Sequence, residues 1–405
     1  MKVDTMRKID YYAGVPLCFV LTLWFGLVHV FSPAKRKTPR KVLLIELSEM
    51  GSAILVDPAM RKLQQHGAEL YFLIFKKNAA SLRLLGTVAE KNVFTIREDG
   101  LVPLATDTLR FLFWARRQGI DSVIDLELFS RFTALLTGLS GAANRVGFYA
   151  FHNEGLYRGE LLTHRVAYNA HVHISKTFIA LVNALLSKKD EHPYSKTLVS
   201  DDEIRLTKAE ISATQQDAMR ELVNRDYPGY TPNQHRIVLI NPNASELLPQ
   251  RRWMPERYVA VMQKILNNYL DVIILITGAP AERQEAEDLK QQVNNERCVN
   301  FAGRLRLAEL PVLYSIASLM LTNDSGPGHF SSITDLPTFV IFGPETPKLY
   351  GSLGNSTPIY AGLACSPCVS AANHRKTPCT DNVCLQVIEA DEVYEKLKTV
   401  FDAGS

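Results

Sequence analysis

Two series of short apolar runs, each run followed by a turn and a helical stretch, constrain the fold of this chain more than any other feature. The runs are apolar throughout instead of alternating with polar residues, which is typical of parallel strands covered on both faces. Two doubly wound α/β domains in series, with a cleft between them, are therefore predicted. The predicted strands cover residues 42–47, 70–75, 93–96 and 122–126 in the first series, and 236–240, 272–277, 298–301, 319–322 and 338–342 in the second.

Length and charge agree with this organisation. A chain of 405 residues is too long for one typical hydrophobic core. The polar stretch from Lys188 to Gln234 predicts a connecting region that contains a helix. A first domain with its connecting region is therefore expected at 41–230 and a second domain at 231–387. The net charge of +3 is the small difference between 45 basic and 42 acidic residues, so no nucleic-acid partner is indicated.

Residues 1–40 are predicted to be a membrane anchor with a basic flank. Tyr11 to Phe31 contains no Asp, Glu, Lys or Arg, and about 20 such residues cross a hydrocarbon core as one helix. More basic residues follow this segment than precede it, which favours a single-pass anchor in the inner membrane with the remaining domains in the cytoplasm. A cleaved signal peptide is the alternative interpretation.

The turn after the strand at 319–322 is the most informative segment for function. It carries Asp324, Ser325 and His329, and a short helix is predicted to begin there. Such a helix presents free backbone N–H groups and the positive end of its dipole to a phosphate. The acid and the imidazole then lie beside that phosphate, as the binding of a nucleotide-activated substrate requires. An ordinary turn with Asp324 as the N-cap is the alternative interpretation.

Further candidates follow other strands of the second series. The loop Asn241-Pro-Asn-Ala-Ser245 is small and polar. Arg251 and Arg252 have paired N–H donors suited to phosphate oxygens, or they form a solvated pair beside a buried Trp253. Glu282 either accepts hydrogen bonds from two ribose hydroxyls or supplies a capping charge in the first turn of a helix. Together these loops predict a nucleotide site at the carboxyl ends of the strands.

Several other classes of nucleotide-binding protein are disfavoured. The first strand is not followed by G-x-G-x-x-G, and no G-x-x-x-x-G-K-[ST] loop occurs. A nicotinamide oxidoreductase and a nucleoside triphosphatase are therefore poor fits. The nearest approach to a metal-holding D-x-D is Asp125-Leu-Glu127. Phosphate charge is thus expected to be neutralised by cationic side chains and backbone amides.

At these positions the chain resembles glycosyltransferase family 9, the ADP-heptose:lipopolysaccharide heptosyltransferase family. The most specific match is Asp324-Ser-Gly-Pro-Gly-His329, followed after the next strand by Phe342-Gly-Pro344. The resemblance implies two Rossmann-like domains in a GT-B arrangement, preceded by the transmembrane helix. It also implies that a C-terminal helix, at 388–405, crosses back to the first domain. Supporting matches lie at residues 121–126, 145–148, 241–244, 252–253, 278–282 and 303–305.

The resemblance also implies a function. This is an inverting, metal-independent transfer of a heptose-like sugar from a nucleotide diphosphate donor, similar to ADP-heptose, to a lipopolysaccharide or other glycolipid or glycan acceptor. No cofactor is required, and the membrane anchor keeps the enzyme beside its lipid-linked acceptor. Asp324 is expected to hold sugar hydroxyls, and His329 either assists the leaving phosphate or hydrogen-bonds inside the turn. The expected donor-binding residues are Asn243, Ala244, Arg251, Arg252, Glu282, Ser325 and Gly326, and the expected acceptor-side residues are Asp125, Arg131 and Arg145.

The first loop departs from the family pattern. The family has Gly-Asp there, with the Asp as general base and Pro six residues later, whereas this chain has Gly51-Ser52 and then Pro58. A serine hydroxyl is a poor base near neutral pH. Glu49, three residues earlier, is therefore the hypothesised replacement, and Glu46 and Asp57 are less suitable because they are expected within the strand and the helix.

Two other classes of function stay open. A catalytically silent, membrane-anchored protein that binds a sugar nucleotide would explain Ser52. A GT-B epimerase would also use two Rossmann-like halves, and it would release nucleotide diphosphate without an added acceptor.

Four of the six cysteines fall within a short segment near the C-terminus. Four thiolates suit tetrahedral Zn²⁺ in a structural site, and a cytoplasmic location would keep them reduced. Free or redox-active thiols and disulfides are the alternative interpretations. These cysteines are Cys365, Cys368, Cys379 and Cys384.

Overall fold

The computed structural model describes residues 3–31, 36–47, 50–244 and 248–402. The chain divides into two compact units, residues 1–205 and residues 206–405. Each unit contains a six-stranded sheet, and the strands of both sheets are parallel. The prediction of two parallel α/β domains is therefore confirmed.

The first unit is a doubly wound α/β domain with a helical N-terminal extension. Its strands are β1 (Lys41–Ile45), β2 (Glu69–Phe75), β3 (Val93–Ile96), β4 (Ser122–Asp125), β5 (Asn144–Tyr149) and β6 (His164–Ala167). Its helices are α1 (Val3–Tyr12), α2 (Gly14–Phe31), α3 (Met50–Leu55), α4 (Asp57–Gln65), α5 (Ala80–Leu85), α6 (Leu101–Gln118), α7 (Arg131–Leu139) and α8 (Ile174–Leu186). The strand order is β3-β2-β1-β4-β5-β6, so the chain reverses its direction across the sheet between β1 and β4.

The strands of this sheet are covered on both faces. All four residues from Val42 to Ile45 are fully buried, as expected for an apolar run inside a parallel sheet. On one face, Phe111 and Ala115 of α6 and Leu136 of α7 pack in the cluster that contains the side chains of β1. Helices α6 and α7 therefore lie on the same face of the sheet.

The second unit repeats this topology. Its strands are β7 (Arg236–Asn241), β8 (Val272–Ile276), β9 (Cys298–Asn300), β10 (Leu319–Asn323), β11 (Thr338–Phe342) and β12 (Ser356–Tyr360). Its helices are α9 (Ala213–Asp226), α10 (Pro255–Asn268), α11 (Arg283–Val293), α12 (Leu310–Ile316), α13 (Gly326–Ser331), α14 (Pro347–Tyr350), α15 (Val383–Gln386) and α16 (Ala390–Asp402). The strand order is β12-β11-β10-β7-β8-β9, so the reversal falls between β7 and β10.

Two helices outside the alternating pattern pack within the second unit. Helix α9, from the predicted connecting region, begins at a capping box of Ser212 and Gln215 and packs on α12. Helix α16 packs on α10, and the Trp253 indole donates to the carbonyl of Ile388, just before α16 (3.1 Å). The amphipathic C-terminal helix therefore buries its apolar face in the core of this unit.

The predicted membrane anchor is helical. Among the described residues, one helix, the 25 residues from Asp4 to Val28, is long and apolar enough to cross a membrane. It comprises α1 and most of α2, and backbone hydrogen bonds continue across the turn at Ala13. Its length and composition match the prediction of a membrane-spanning helix.

A buried ion pair ties β4 to the segment before β6. Asp125, at the end of β4, is fully buried, and its carboxylate accepts from Arg158. The same guanidinium donates to the carbonyls of Ser130 (2.9 Å) and Phe148 (3.2 Å). Burial raises the pKa of Asp125, and Arg158 opposes that shift.

We expect Asp125→Asn to lower the free energy of unfolding of the first unit by about 3–5 kcal/mol, because Arg158 is left buried without its counter-charge. Asp190→Asn is the matched control, since that side chain is 86% exposed in its pair with Arg36. Urea unfolding followed by circular dichroism measures both. Equal transition midpoints for the two variants would contradict a stabilising role for the buried pair.

Candidate functional site

The candidate site lies where the strand order of the second sheet reverses. Strands β7 and β10 are neighbours there, and their crossover connections lead to opposite sides. Loops that follow the carboxyl ends of two such strands diverge and leave a crevice, which is where open α/β sheets bind ligands. In this unit the loops are residues 242–244, with 245–247 outside the described residues, and the turn that begins at Asp324.

Asn323, the last residue of β10, joins these loops. Its side-chain carbonyl accepts from the backbone N–H of Trp253 (3.1 Å) and from the hydroxyl of Tyr258 (2.9 Å). Its side-chain amide donates to the carbonyl of Pro242 (2.7 Å). Asn323 was not among the predicted site residues, although a polar residue at the end of an apolar strand, next to the Asp-Ser-Gly turn, was a usable signal.

The Asp-Ser-Gly turn opens helix α13. Ser325 precedes the helix in an extended conformation, and its side chain does not cap the helix. Its hydroxyl donates instead to the carbonyl of Asn323 (3.2 Å). The glycines that follow allow close packing, because a Cβ at Gly328 would lie 2.9 Å from the Ser352 hydroxyl and one at Gly326 would lie 3.1 Å from the Phe330 ring. Ser325, and not Asp324, therefore occupies the N-cap position of α13.

Arg251 lies between two carboxylates. Its Nε is 3.4 Å from Oδ2 of Asp324, and its Nη2 donates to Glu345. The exposed fractions of the Arg251, Asp324 and Glu345 side chains are 12%, 5% and 2%. The alternative of a solvated surface arginine is therefore wrong for Arg251. Glu345, which directly follows Phe342-Gly-Pro344, was missed because its partner lies 94 residues earlier in the chain.

The burial of this cluster changes its protonation. The pKa of Glu345 is raised to about 8, because burial, the largest cause, and the neighbouring Asp324 raise it more than Arg251 lowers it. Burial lowers the pKa of Arg251, but the two carboxyl groups reverse this and raise it overall. At neutral pH the cluster therefore holds a charged guanidinium beside a largely protonated Glu345.

Asn243 and Glu282 meet beside Gly278, at the ends of β7 and β8. A Cβ at Gly278 would lie 2.9 Å from Oε2 of Glu282 and 3.1 Å from the Asn243 amide nitrogen. Oε2 of Glu282 accepts from the backbone N–H of Ala279 (2.6 Å), so the capping role is realised. Burial raises the pKa of Glu282, and the Ala279 hydrogen bond lowers it. The carboxyl group is thus held at the strand ends.

Arg252 and His329 make contacts that support the surrounding structure. Nη2 of Arg252 donates to the carbonyl of Ala244 (3.3 Å), and Nη1 lies 3.6 Å from Glu285. His329 is buried, and its Nδ1 lies 3.4 Å from the Ser352 hydroxyl. The hydrogen-bonding interpretation of His329 fits this contact, although Ser352 lies outside the turn.

The three predicted acceptor-side residues are engaged by protein groups. Asp125 is paired with Arg158. Arg131 is 1% exposed and donates to the carbonyls of Tyr157 (3.0 Å) and Gly155 (2.6 Å). Nε of Arg145 donates to the carbonyl of Leu161 (2.6 Å) and Nη1 to that of Ala142 (2.8 Å). These contacts favour structural roles over the predicted contact with an acceptor.

The first loop is described only in part. Glu49 lies outside the described residues, and Ser52 belongs by its backbone to α3, so helix begins earlier than the predicted turn allowed. Asp57 is fully buried and bound by Arg61 (2.7 Å) and by the Thr87 hydroxyl. Glu46 follows β1 directly and is buried. The ion pair of Asp57 disfavours that residue as a base.

The four clustered cysteines are free thiols in the structure. Cys365 is exposed and Cys384 is buried. The pKa of Cys384 is raised to about 11, mainly by burial and also by the other three cysteines. Sγ of Cys379 donates to Asp381 (3.2 Å). In the described part of the chain no three His, Cys, Asp or Glu side chains are placed to hold a metal.

Relatives of the chain are heptosyltransferases. It is 29% identical over 173 residues to lipooligosaccharide heptosyltransferase 2 of Campylobacter jejuni, a match that covers 41% of this chain and 52% of the relative. The chain thus spans about half the length of the curated relatives it matches first.

Solved structures show the same fold. The Escherichia coli ADP-heptose lipopolysaccharide heptosyltransferase II superposes with a TM-score of 0.67 at 18% identity, over 90% of this chain and all of that one. An E. coli heptosyltransferase with ADP superposes with a TM-score of 0.62 at 15% identity, over 89% of this chain and 99% of that one.

The family model for glycosyltransferase family 9 (heptosyltransferase) matches residues 115–377. The match covers more than half of the chain, and it includes the loops at the ends of β7, β8 and β10. The chain therefore belongs to glycosyltransferase family 9.

Proposed function

We propose that this protein is a glycosyltransferase that moves a heptose-like sugar from a nucleotide diphosphate donor to a hydroxyl of a lipopolysaccharide or similar glycolipid. The observation that carries the proposal is the contact of Arg251 with Asp324 at the strand reversal of the second sheet, with Glu282 and Asn243 beside each other at the ends of the neighbouring strands β8 and β7. This is the place where open α/β sheets bind nucleotides. Family membership and the names of the relatives support the same assignment.

The donor is held by complementary charges and backbone amides. Arg251 faces the diphosphate, and the amides at Ser325 and Gly326 hydrogen-bond its oxygens. Asp324 binds sugar hydroxyls, and the free oxygen of Glu282 accepts from the ribose. A guanidinium already fixed by two carboxyl groups loses little freedom when it binds. These groups supply the positive charge without a catalytic metal.

The reaction itself is an inverting displacement. A carboxylate takes the proton of the acceptor hydroxyl, the oxygen attacks the anomeric carbon, and the bond between that carbon and the diphosphate oxygen breaks. The departing diphosphate carries away the negative charge, which Arg251 stabilises. Glu49 is the proposed base, because Ser52 stands at the family's usual position.

The acceptor is held at a membrane. The apolar N-terminal helix attaches the enzyme to the cytoplasmic face of the inner membrane, where a lipid-linked acceptor is exposed to the first unit. The sequence predicts a single pass through the membrane, whereas the packing of the helix favours attachment without crossing.

One observation also supports a second function, that of a catalytically silent binding protein. Ser52 at the position of the base is what a catalytically silent protein that binds a sugar nucleotide would show. Such a protein binds the donor with the same residues but releases no nucleotide.

We expect the full-length protein in detergent to release ADP from ADP-heptose only when a lipopolysaccharide-precursor acceptor is added. We expect the same release when a chelator is present.

We expect Asp324→Asn to lower kcat/KM by roughly 10²–10³-fold, because the contact to Arg251 and the sugar weakens. Coupled detection of ADP measures both.

Asp335→Asn is the matched control for this variant, since the Asp335 side chain is 95% exposed in the same unit. Donor binding without release, across several acceptors, would favour the silent protein. Release without any acceptor would contradict a transferase.

We expect Glu345→Gln to change the pH dependence of donor binding more than its strength at pH 7. The pKa of Glu345 is raised to about 8, so the group keeps its proton below that pH and ionises above it. Ionisation adds negative charge beside the diphosphate and weakens binding in the wild type, whereas glutamine stays neutral. Titration calorimetry with ADP between about pH 6.5 and pH 9.5 tests this, and parallel pH profiles would contradict it.

We expect Glu49→Gln to lower kcat by roughly 10²–10⁴-fold with donor affinity unchanged, the usual contribution of a positioned base. Ser52→Ala should leave kcat close to the wild-type value. Single-turnover kinetics with saturating donor measures the chemical step in each variant. Full activity in Glu49→Gln would exclude Glu49 as the base.

A further inference from the structure

The N-terminal helices pack on the first unit along a defined stripe. The buried and half-buried positions of α2 recur every three or four residues and form one face. Small residues on that face bring the backbones close together. A Cβ at Gly14 would lie 2.5 Å from Cβ of Arg131, and one at Gly159 would lie 2.6 Å from the Thr22 hydroxyl. The positions of the stripe are Gly14, Val15, Cys18, Leu21, Thr22 and Phe25.

Polar contacts fasten the same helices to α7 and to the segment before β6. The carboxylate of Asp10 accepts from the backbone N–H groups of Arg131 (2.9 Å) and Phe132 (2.8 Å) at the start of α7. An acid at a helix N-terminus stabilises the helix. The Thr22 hydroxyl accepts from the backbone N–H of Glu160 (2.9 Å). The helix pair is therefore built into the first unit.

This packing is incompatible with a simple crossing of the bilayer. Contacts from Asp10 to Phe25 occupy about 22 Å of helix axis, while the hydrocarbon core is about 30 Å thick. A helix that crossed while docked would pull α7, with its buried Arg131, and the backbone at Glu160 into hydrocarbon, where charged and irregular segments are strongly disfavoured. The helix therefore either leaves α7 and crosses, or stays docked and does not cross.

The face of α2 opposite the stripe is apolar and exposed. A contiguous exposed apolar surface of this kind marks a protein or membrane interaction site. The exposed side chains include a tryptophan, as in helices that lie at the lipid interface. They are Leu17, Phe19, Val20, Leu23, Trp24, Leu27, Val28, Val30 and Phe31.

Helix α6 presents a second exposed apolar stripe on the same side of the sheet. Val102, Leu109 and Phe113 are 74%, 69% and 69% exposed, and their spacing places them on one face of the helix. Helix α6 contacts α7, and Met6 of α1 packs against the core cluster that contains Phe111 and Ala115 of α6. The two apolar surfaces thus belong to α2 and α6, which both contact α7.

Basic side chains accompany these surfaces. Exposed cations lie on α1, on α6 and in the segment after α2, and an apolar face with basic neighbours is typical of elements that lie on anionic lipid. They are Lys8, Arg110, Arg116, Arg117, Arg36, Lys37 and Arg40.

We propose that α1 and α2 stay docked on α7 and lie in the plane of an anionic lipid bilayer, with the outer faces of α2 and α6 in the boundary between headgroups and acyl chains. The enzyme is then attached to one leaflet without crossing the membrane, and the first unit is held against the surface where a lipid-linked acceptor lies.

Two measurements on the full-length protein test this. An N-terminal epitope tag is expected to be digested by protease in inside-out vesicles and to be protected in spheroplasts. Leu109→Asp is expected to weaken partitioning onto phosphatidylglycerol-containing vesicles by roughly tenfold, because a charge enters the interface. Leu198→Asp is the matched control, an exposed leucine (94%) of the same unit, and should bind as the wild type does.

Three outcomes overturn the proposal. Digestion of the tag in spheroplasts would show that the helix crosses the bilayer, and loss of the tag from the mature protein would show a cleaved signal peptide. Equal vesicle binding of Leu109→Asp and Leu198→Asp would remove α6 from the lipid surface.

Discussion

The side-chain amide of Asn323 is the contact on which the candidate site of the second unit depends. It joins the end of β10 to the loop after β7 and to the start of α10, three segments that the strand reversal would otherwise let diverge. Because the amide is buried among backbone groups, its hydrogen bonds are strong and costly to lose. The end of β10, the loop after β7 and the start of α10 are therefore joined to one another at the crevice.

The buried Arg251 follows from the same geometry. A guanidinium inside a protein is stable only when counter-charges compensate its lost hydration. Asp324 supplies a counter-charge, and the carboxyl group of Glu345 accepts a hydrogen bond from the same guanidinium. In the proposed function, a donor diphosphate is a further anion for this cation. The raised pKa of Glu345 lets one carboxyl group stay neutral, so the cluster does not repel an anionic ligand. This charge balance is compatible with the proposed binding of a diphosphate.

The architecture was largely predictable from the sequence, but the contact partners of individual side chains were not. Uninterrupted apolar runs identified the central strands, because such runs bury both faces of a parallel sheet. The edge strands β6 and β12 were missed, since their exposed positions interrupt the apolar pattern, and Pro358 in β12 is tolerated only at an edge. Strand β5 was recognised only as a motif of the family.

The roles of individual side chains also divide into those that a local motif reveals and those that it does not. The loop that holds Asp324 is visible as a local motif, but Glu345 and Asn323 act through partners distant in the chain. Arg131 and Arg145 resembled ligand-binding residues because the sequence does not reveal that backbone carbonyls already surround them. Likewise, the composition of the N-terminal helix suggested a membrane span. The close contacts of this helix with Arg131 and Gly159 are visible only in the structure.

Photochemical labelling with an azido derivative of ADP, followed by peptide mapping of the full-length protein, tests whether the donor site lies at the strand reversal of the second unit. We expect label in the peptides that follow β7, β8 and β10 of this unit, and loss of that label when excess ADP-heptose is present. Label confined to the first unit, or label that ADP-heptose does not reduce, would contradict a donor site at the strand reversal.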